Sequence, residues 1–143
     1  MTLLLAHAAV TLLLTGLIWT VQVVLYPLMS DIGAEAFGAW HQRYTRAITW
    51  LVGPLMLAEL GLAIALPFVK PAGVPEPWTW LGVALVLQIH AVTALVSVPC
   101  HERLAEGFEA DAHRRLVRST WLRTIGWTVR AGLAIGMVAV GRA

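Results

Sequence analysis

Four apolar runs, each long enough to cross a bilayer, constrain this 143-residue chain more than any other feature in it. They cover roughly Leu3 to Met29, Ile48 to Phe68, Trp78 to Val98 and Thr120 to Val140, and a hydrocarbon layer needs ~20 such residues per helix. Little chain remains for anything else. Composition agrees: 59% of residues are hydrophobic, 13% are charged, and the mean hydropathy is +0.76, well above an ordinary soluble domain. The expectation is all-α, a four-transmembrane-helix bundle forming one integral membrane domain over residues 1–143. The first run has no basic residue ahead of it and exceeds the usual length of a signal-peptide core, so it reads as a retained helix. A single cysteine, Cys100, excludes an internal disulfide, and no paired CxxC suggests a metal.

Arginine placement sets the expected orientation. Arg43 and Arg46 lie between the first two runs, and Arg103, Arg114, Arg115 and Arg118 lie between the last two, whereas the other side has only Lys70 and Arg142. The positive-inside rule makes the arginine-rich connections cytoplasmic and puts both termini and the turn KPAGVPEP outside. The formal charge of +2 therefore bears on topology and gives no reason to expect nucleic acid. The connections are amphipathic: Phe37, Trp40 and Tyr44 fall at helical spacing in one, and Leu104, Phe108, Ala112 and Leu116 in the other. Both read as interfacial or helix-extending segments, with Glu102, Glu106 and Glu109 on a solvated face.

The two halves share an order of residues. Tyr26-Pro27, Phe37, HQRYTR from His41 and Trp50 parallel Val98-Pro99, Phe108, HRRLVR from His113 and Trp121, at an offset of about seventy-two residues. Two tandem helical hairpins related by an axis along the membrane normal would produce this pattern.

One carboxylate, Glu59, sits near the centre of the second run. It lies about eleven residues in, or ~16 Å at 1.5 Å per residue, and Arg130 lies ~15 Å into the fourth run. An unpaired charge at that depth costs roughly 2.5 to 3.5 kcal/mol, so the two are expected to pair. Gln22 in the first run and His90 in the third share the level, and His90, Thr93, Ser97 and His101 repeat at three and four, so they are expected on one face. Such a set suits proton transfer by Glu59 or His90 and anion holding by Arg130, with Trp19, Trp50, Trp121 and Trp127 as aromatic walls for a greasy molecule arriving from the bilayer, and Tyr26 on or near the stripe of Gln22. Packing glue between helices is the competing reading of the same residues. His90 and His101 are ~16 Å apart along a helix and cannot share an ion. Haem ligation by His90 is a minority alternative without a motif, and no cofactor is implied.

The second half, VPCHERLAEGFEADAHRRLVRSTWLRTIGWTVRAGL, resembles the small four-helix membrane family that includes the fungal anthrone oxygenases and many bacterial members. The resemblance rests on Pro99, Leu104, Trp121 and the pair Arg123-Thr124, with Gly16, Tyr26-Pro27 and Pro54 in the first half. Where that family often has asparagine, this chain has Cys100-His101 and Ser119. The resemblance implies a bacterial inner-membrane protein that oxidises a deprotonated phenolic ring to a quinone with oxygen, Glu59 or His90 acting as base and Arg130 holding the phenolate, with Gln22, Trp19, Tyr26, Trp127 and Arg123 around the substrate. Two alternatives stay open: a binding or transport protein for a small hydrophobic or anionic solute, and a structural or accessory subunit. The bilayer and a hydrophobic small molecule are the expected partners, with a homo-oligomer compatible with each reading.

Overall fold

The computed structural model describes residues 1–142, and among them every element is helical. Four long rods follow one another: α1 (Thr2–Asp31), α2 (Ala34–Val69), α3 (Glu76–Glu106) and α4 (Ala110–Val140). The first three are long and apolar enough to cross a membrane. The fourth falls short of that standard because Arg114, Arg115, Arg118, Arg123 and Arg130 are strung along it. The rods close a ring in which α1 packs on α2 and α4, and α3 packs on the same two.

The helices run further than the apolar runs that mark them. α2 begins at Ala34 rather than near Ile48, α3 continues past Val98 to Glu106, and α4 begins at Ala110 rather than near Thr120. The amphipathic connections are therefore extensions of the rods, not separate surface helices. Their apolar stripes meet in a core at the connection end of the bundle, where Tyr26, Met29, Phe37, Cys100, Leu104, Ala112 and Leu116 are buried together. Phe37 and Phe108 meet edge to face at 5.1 Å. A second core layer (Leu14, Ile18, Met56, Ile89, Trp127) fills the middle, and a third (Leu4, Leu66, Met137) the opposite end. There the α2–α3 turn relies on Gly73, whose φ of 75° is left-handed and where a Cβ would lie 2.6 Å from the Val140 carbonyl.

Two helices carry a π-helical turn, Val21–Leu25 in α1 and Thr93–Ser97 in α3. Each ends two residues before a proline, Pro27 or Pro99. Proline has no N–H for the carbonyl four residues back and crowds it, so the chain accommodates one extra residue in the preceding turn. The two turns lie seventy-two residues apart, the offset that also relates the two halves of the sequence.

Candidate functional site

Glu59 and Arg130 meet in the interior half nearer the termini. The guanidinium Nε donates to Glu59 Oε1 at 3.0 Å, and the side chains are 0% and 1% exposed. Glu59 Oε1 also accepts from the Thr11 hydroxyl at 3.0 Å, and Oε2 accepts from the Trp127 indole N–H at 2.9 Å. Arg130 donates further to the Gly82 carbonyl and, at 3.1 Å, to His7 Nε2. All four helices contribute to this network, and every nitrogen of the guanidinium and both carboxylate oxygens are bonded. A buried ion pair satisfied on both sides in this way ties helices together. Within it, one N–H on each Nη and the buried His7 Nδ1 have no further partner.

The cavity lies one layer nearer the connections. It measures about 240 Å³ and is walled mainly by aliphatic side chains of α1 and α2, such as Leu14, Ile18, Val52 and Met56, with Tyr26, Tyr44, Ser97, His101, Arg123 and Trp127 supplying its polar and aromatic groups. An apolar cavity of roughly 150 Å³ holds benzene, so this one has room for a substituted or two-ring molecule. Arg123 is only 7% exposed. Its Nη1 donates to Ser97 Oγ at 3.2 Å, its guanidinium lies 5.3 Å from the Trp127 ring centre, and its Nε is buried with no partner. No carboxylate among the described residues pairs with it. A cation–π contact contributes about 2 kcal/mol when desolvated, less than an isolated buried charge costs. Arg123 is thus a buried cation with no anionic partner and an unpartnered Nε, held by Ser97 and beside Tyr26 on the wall of an apolar cavity.

No protein-family model, curated protein or solved structure matches this chain. The site therefore rests on its own geometry.

Of the residues singled out from sequence, Tyr26, Arg123 and Trp127 line the cavity. Trp127 belongs to both centres, with its indole N–H on Glu59 and its ring against Arg123. Gln22 and His90 do not complete the Glu59–Arg130 pair; His7, Thr11 and the Gly82 carbonyl take that place. Gln22 donates instead to the Val117 carbonyl at 3.3 Å. His90 turns back on its own helix, Nδ1 lying 2.8 Å from the Val86 carbonyl, and its buried Nε2 has no partner. Trp19 is 40% exposed and faces outward, bonded to Thr128 and edge-on to Trp121, because its neighbour Ile18 holds the inward position. Trp50 and Trp121 are outward as well. Of the expected single face of His90, Thr93, Ser97 and His101, the last three reach the cavity across the π turn and His90 does not.

Tyr44 and His41 escaped the sequence reading because they precede the apolar run of α2 and looked interfacial. Their signal was the aromatic spacing Phe37–Trp40–Tyr44, which marks a helix buried on one face. Among the described residues no three His, Cys, Asp or Glu side chains converge as metal ligands.

Proposed function

We propose that this chain is an integral membrane protein of four spans, two tandem hairpins with the arginine-rich connections in the cytoplasm, whose cavity receives a small, mainly apolar molecule and holds its anionic or accepting group on Arg123. The observation that carries this reading is the buried Arg123 Nε with no partner on the cavity wall. A membrane-crossing α4 is reasonable despite its charges. Arg130 is neutralised by Glu59, Arg123 faces the cavity, and the outward positions at that level are Leu122, Ile125, Val129 and Ile135. The bilayer is the natural reservoir for an apolar ligand, and the cavity shares Thr49 with a shallow groove formed by Gln42, Thr45, Arg46 and Trp50 at the arginine-rich end.

Titration calorimetry of the purified protein with a naphthol and with naphthalene tests this reading. The wild type should prefer the hydroxylated ring, and Arg123→Leu should remove a preference of about 1.5 to 3 kcal/mol, the usual size of a hydrogen bond to a charged group. Equal affinity for the two rings in the wild type would contradict it.

An oxygenase reading is favoured by one further observation: Arg123, from the Arg-Thr pair that carries the resemblance to the anthrone oxygenases, is the cation on the cavity wall. In this reading Arg123, not Arg130, holds the phenolate, and His101, not Glu59 or His90, is the base within reach of the cavity. Oxygen uptake on addition of an anthrone, lost in Arg123→Leu, is the expected result.

A further inference from the structure

Three side chains from two different hairpins form an unbroken hydrogen-bonded string that starts in the cavity. The Tyr26 hydroxyl lies 3.3 Å from His101 Nε2, and His101 Nδ1 lies 3.1 Å from His41 Nε2. Tyr26 and His101 line the cavity; His41 does not. The rings of His41 and His101 are nearly parallel, with centres 5.2 Å apart. His41 is fully buried, yet its Nδ1 has no partner. It lies seven residues before Ile48, where the apolar run of α2 begins, so the string points from the cavity toward the arginine-rich end. The titratable and charged groups around it are Tyr26 from α1, Tyr44 from α2, Cys100 on α3 itself, and Arg123 and His113 from α4, the last 2.8 Å from the Tyr26 carbonyl. None is a carboxylate.

Each imidazole has one donor and one acceptor nitrogen when neutral, so the string has two self-consistent states. In one, Tyr26 donates to His101 Nε2, His101 Nδ1–H donates to His41 Nε2, and His41 Nδ1 carries the last proton. In the other, every proton has moved one place, the Tyr26 oxygen has taken a new proton from the cavity, and His41 Nδ1 is bare. Passage between the states transfers one proton across the whole string without placing a charge on any member at rest.

Building on the reading of Arg123 as the ligand's anchor, we propose that the cavity's ligand is a weak acid with an ionisable hydroxyl, and that the Tyr26–His101–His41 string conducts its proton out as the anion forms on Arg123. The ligand O–H bond breaks and its proton passes to the Tyr26 oxygen, while the Tyr26 proton moves to His101 Nε2. The His101 Nδ1 proton moves to His41 Nε2, and the His41 Nδ1 proton leaves to water when the connection end of the bundle, where that nitrogen is buried, opens locally. The products are one ligand anion paired with Arg123 and one hydronium ion. Release of the ligand as the neutral acid runs the same steps backward and resets both rings. The need for the string is electrostatic: Arg123 stabilises the anion but has no acceptor site for the proton, which must leave a low-dielectric cavity.

A nitrophenol is a suitable probe because only its anion absorbs in the visible. The neutral probe is mixed in a stopped-flow instrument with detergent-solubilised protein at a pH two units below the probe's own pKa, and the phenolate band and a bulk pH indicator are followed together. The wild type should form bound phenolate and release one proton per site. His101→Gln and His41→Gln, which keep hydrogen-bonding groups but cannot pass a proton, should reach the same amplitude with rates lower on the order of 10²-fold, the smaller end of what proton-transfer groups contribute. His41→Gln leaves the cavity wall untouched and provides the test should His101→Gln fold poorly. Wild-type rates in both variants would overturn the string while leaving Arg123 as anchor. Probe bound only as the neutral phenol would overturn it likewise. No binding by the wild type would remove the anchor reading and the string with it, whereas loss of binding in Arg123→Leu together with slowed proton release in both histidine variants would support both.

Discussion

Glu59 is tolerated in the middle of an apolar helix because four donors or partners from three other helices converge on it and on Arg130. Sequence gave half of this arrangement: equal depth and opposite sign are enough to pair Glu59 with Arg130. The other half was hidden, since His7 and Thr11 lie near the start of α1, where depth along the chain suggests a helix end rather than a partner. Removing one charge strands the other, so Glu59→Gln and Arg130→Gln should each lower stability by about 3 to 5 kcal/mol. The double change Glu59→Leu with Arg130→Met should recover much of that loss but not all of it, because the Trp127 indole N–H and the Thr11 hydroxyl lose their acceptor. Thermal unfolding in detergent measures this. With the ligand anchored on Arg123 as proposed, the double variant should keep most of its affinity for a naphthol; abolished binding with an intact fold would move the site back to Glu59 and Arg130.

At the scale of elements, the four rods were legible from their apolar runs, whereas their ends were not. Hydropathy registers lipid exposure and stops at Ile48 and Val98. Helical pattern in the amphipathic stretches registers packing, and it carries α2 back to Ala34 and α3 on to Glu106. The face carrying the site was misjudged for a different reason. A period of three and four groups His90 with Thr93, Ser97 and His101, but His90 bonds back to the Val86 carbonyl and only the other three line the cavity, across a π turn at Thr93–Ser97 that hydropathy does not announce. Pro99 was the available sign. It is not a sufficient one, because Pro54 and Pro67 interrupt α2 without a π turn. The matching turn before Pro27 leads into Tyr26 as the turn before Pro99 leads into Val98, and the two turns lie seventy-two residues apart. That coincidence is what a duplicated hairpin would produce if the same local irregularity were inherited by both copies.

For the whole molecule, the account requires that the α2–α3 turn and the α3–α4 connection lie on opposite sides of the membrane. Single cysteines test this at Ala72 and Ala110, both exposed. Gly73 is unsuitable because its left-handed backbone and the nearby Val140 carbonyl exclude a side chain. Cys100 is buried and contributes little background. A membrane-impermeant maleimide added to intact cells should label Ala72→Cys and leave Ala110→Cys unlabelled until the membrane is opened. Labelling of both from outside would break the four-span scheme.

The central claim is that the ligand lies in the Arg123 cavity, and the most direct measurement is a crystal structure of the protein soaked with a bromophenol, with data collected at the bromine absorption edge. The account predicts an anomalous peak inside the cavity walled by Met56, Tyr26 and Trp127, with the phenol oxygen within hydrogen-bonding distance of Arg123 Nε, and no such peak in Arg123→Leu. A peak confined to the lipid-facing surface, or one beside Glu59 and Arg130, would contradict it.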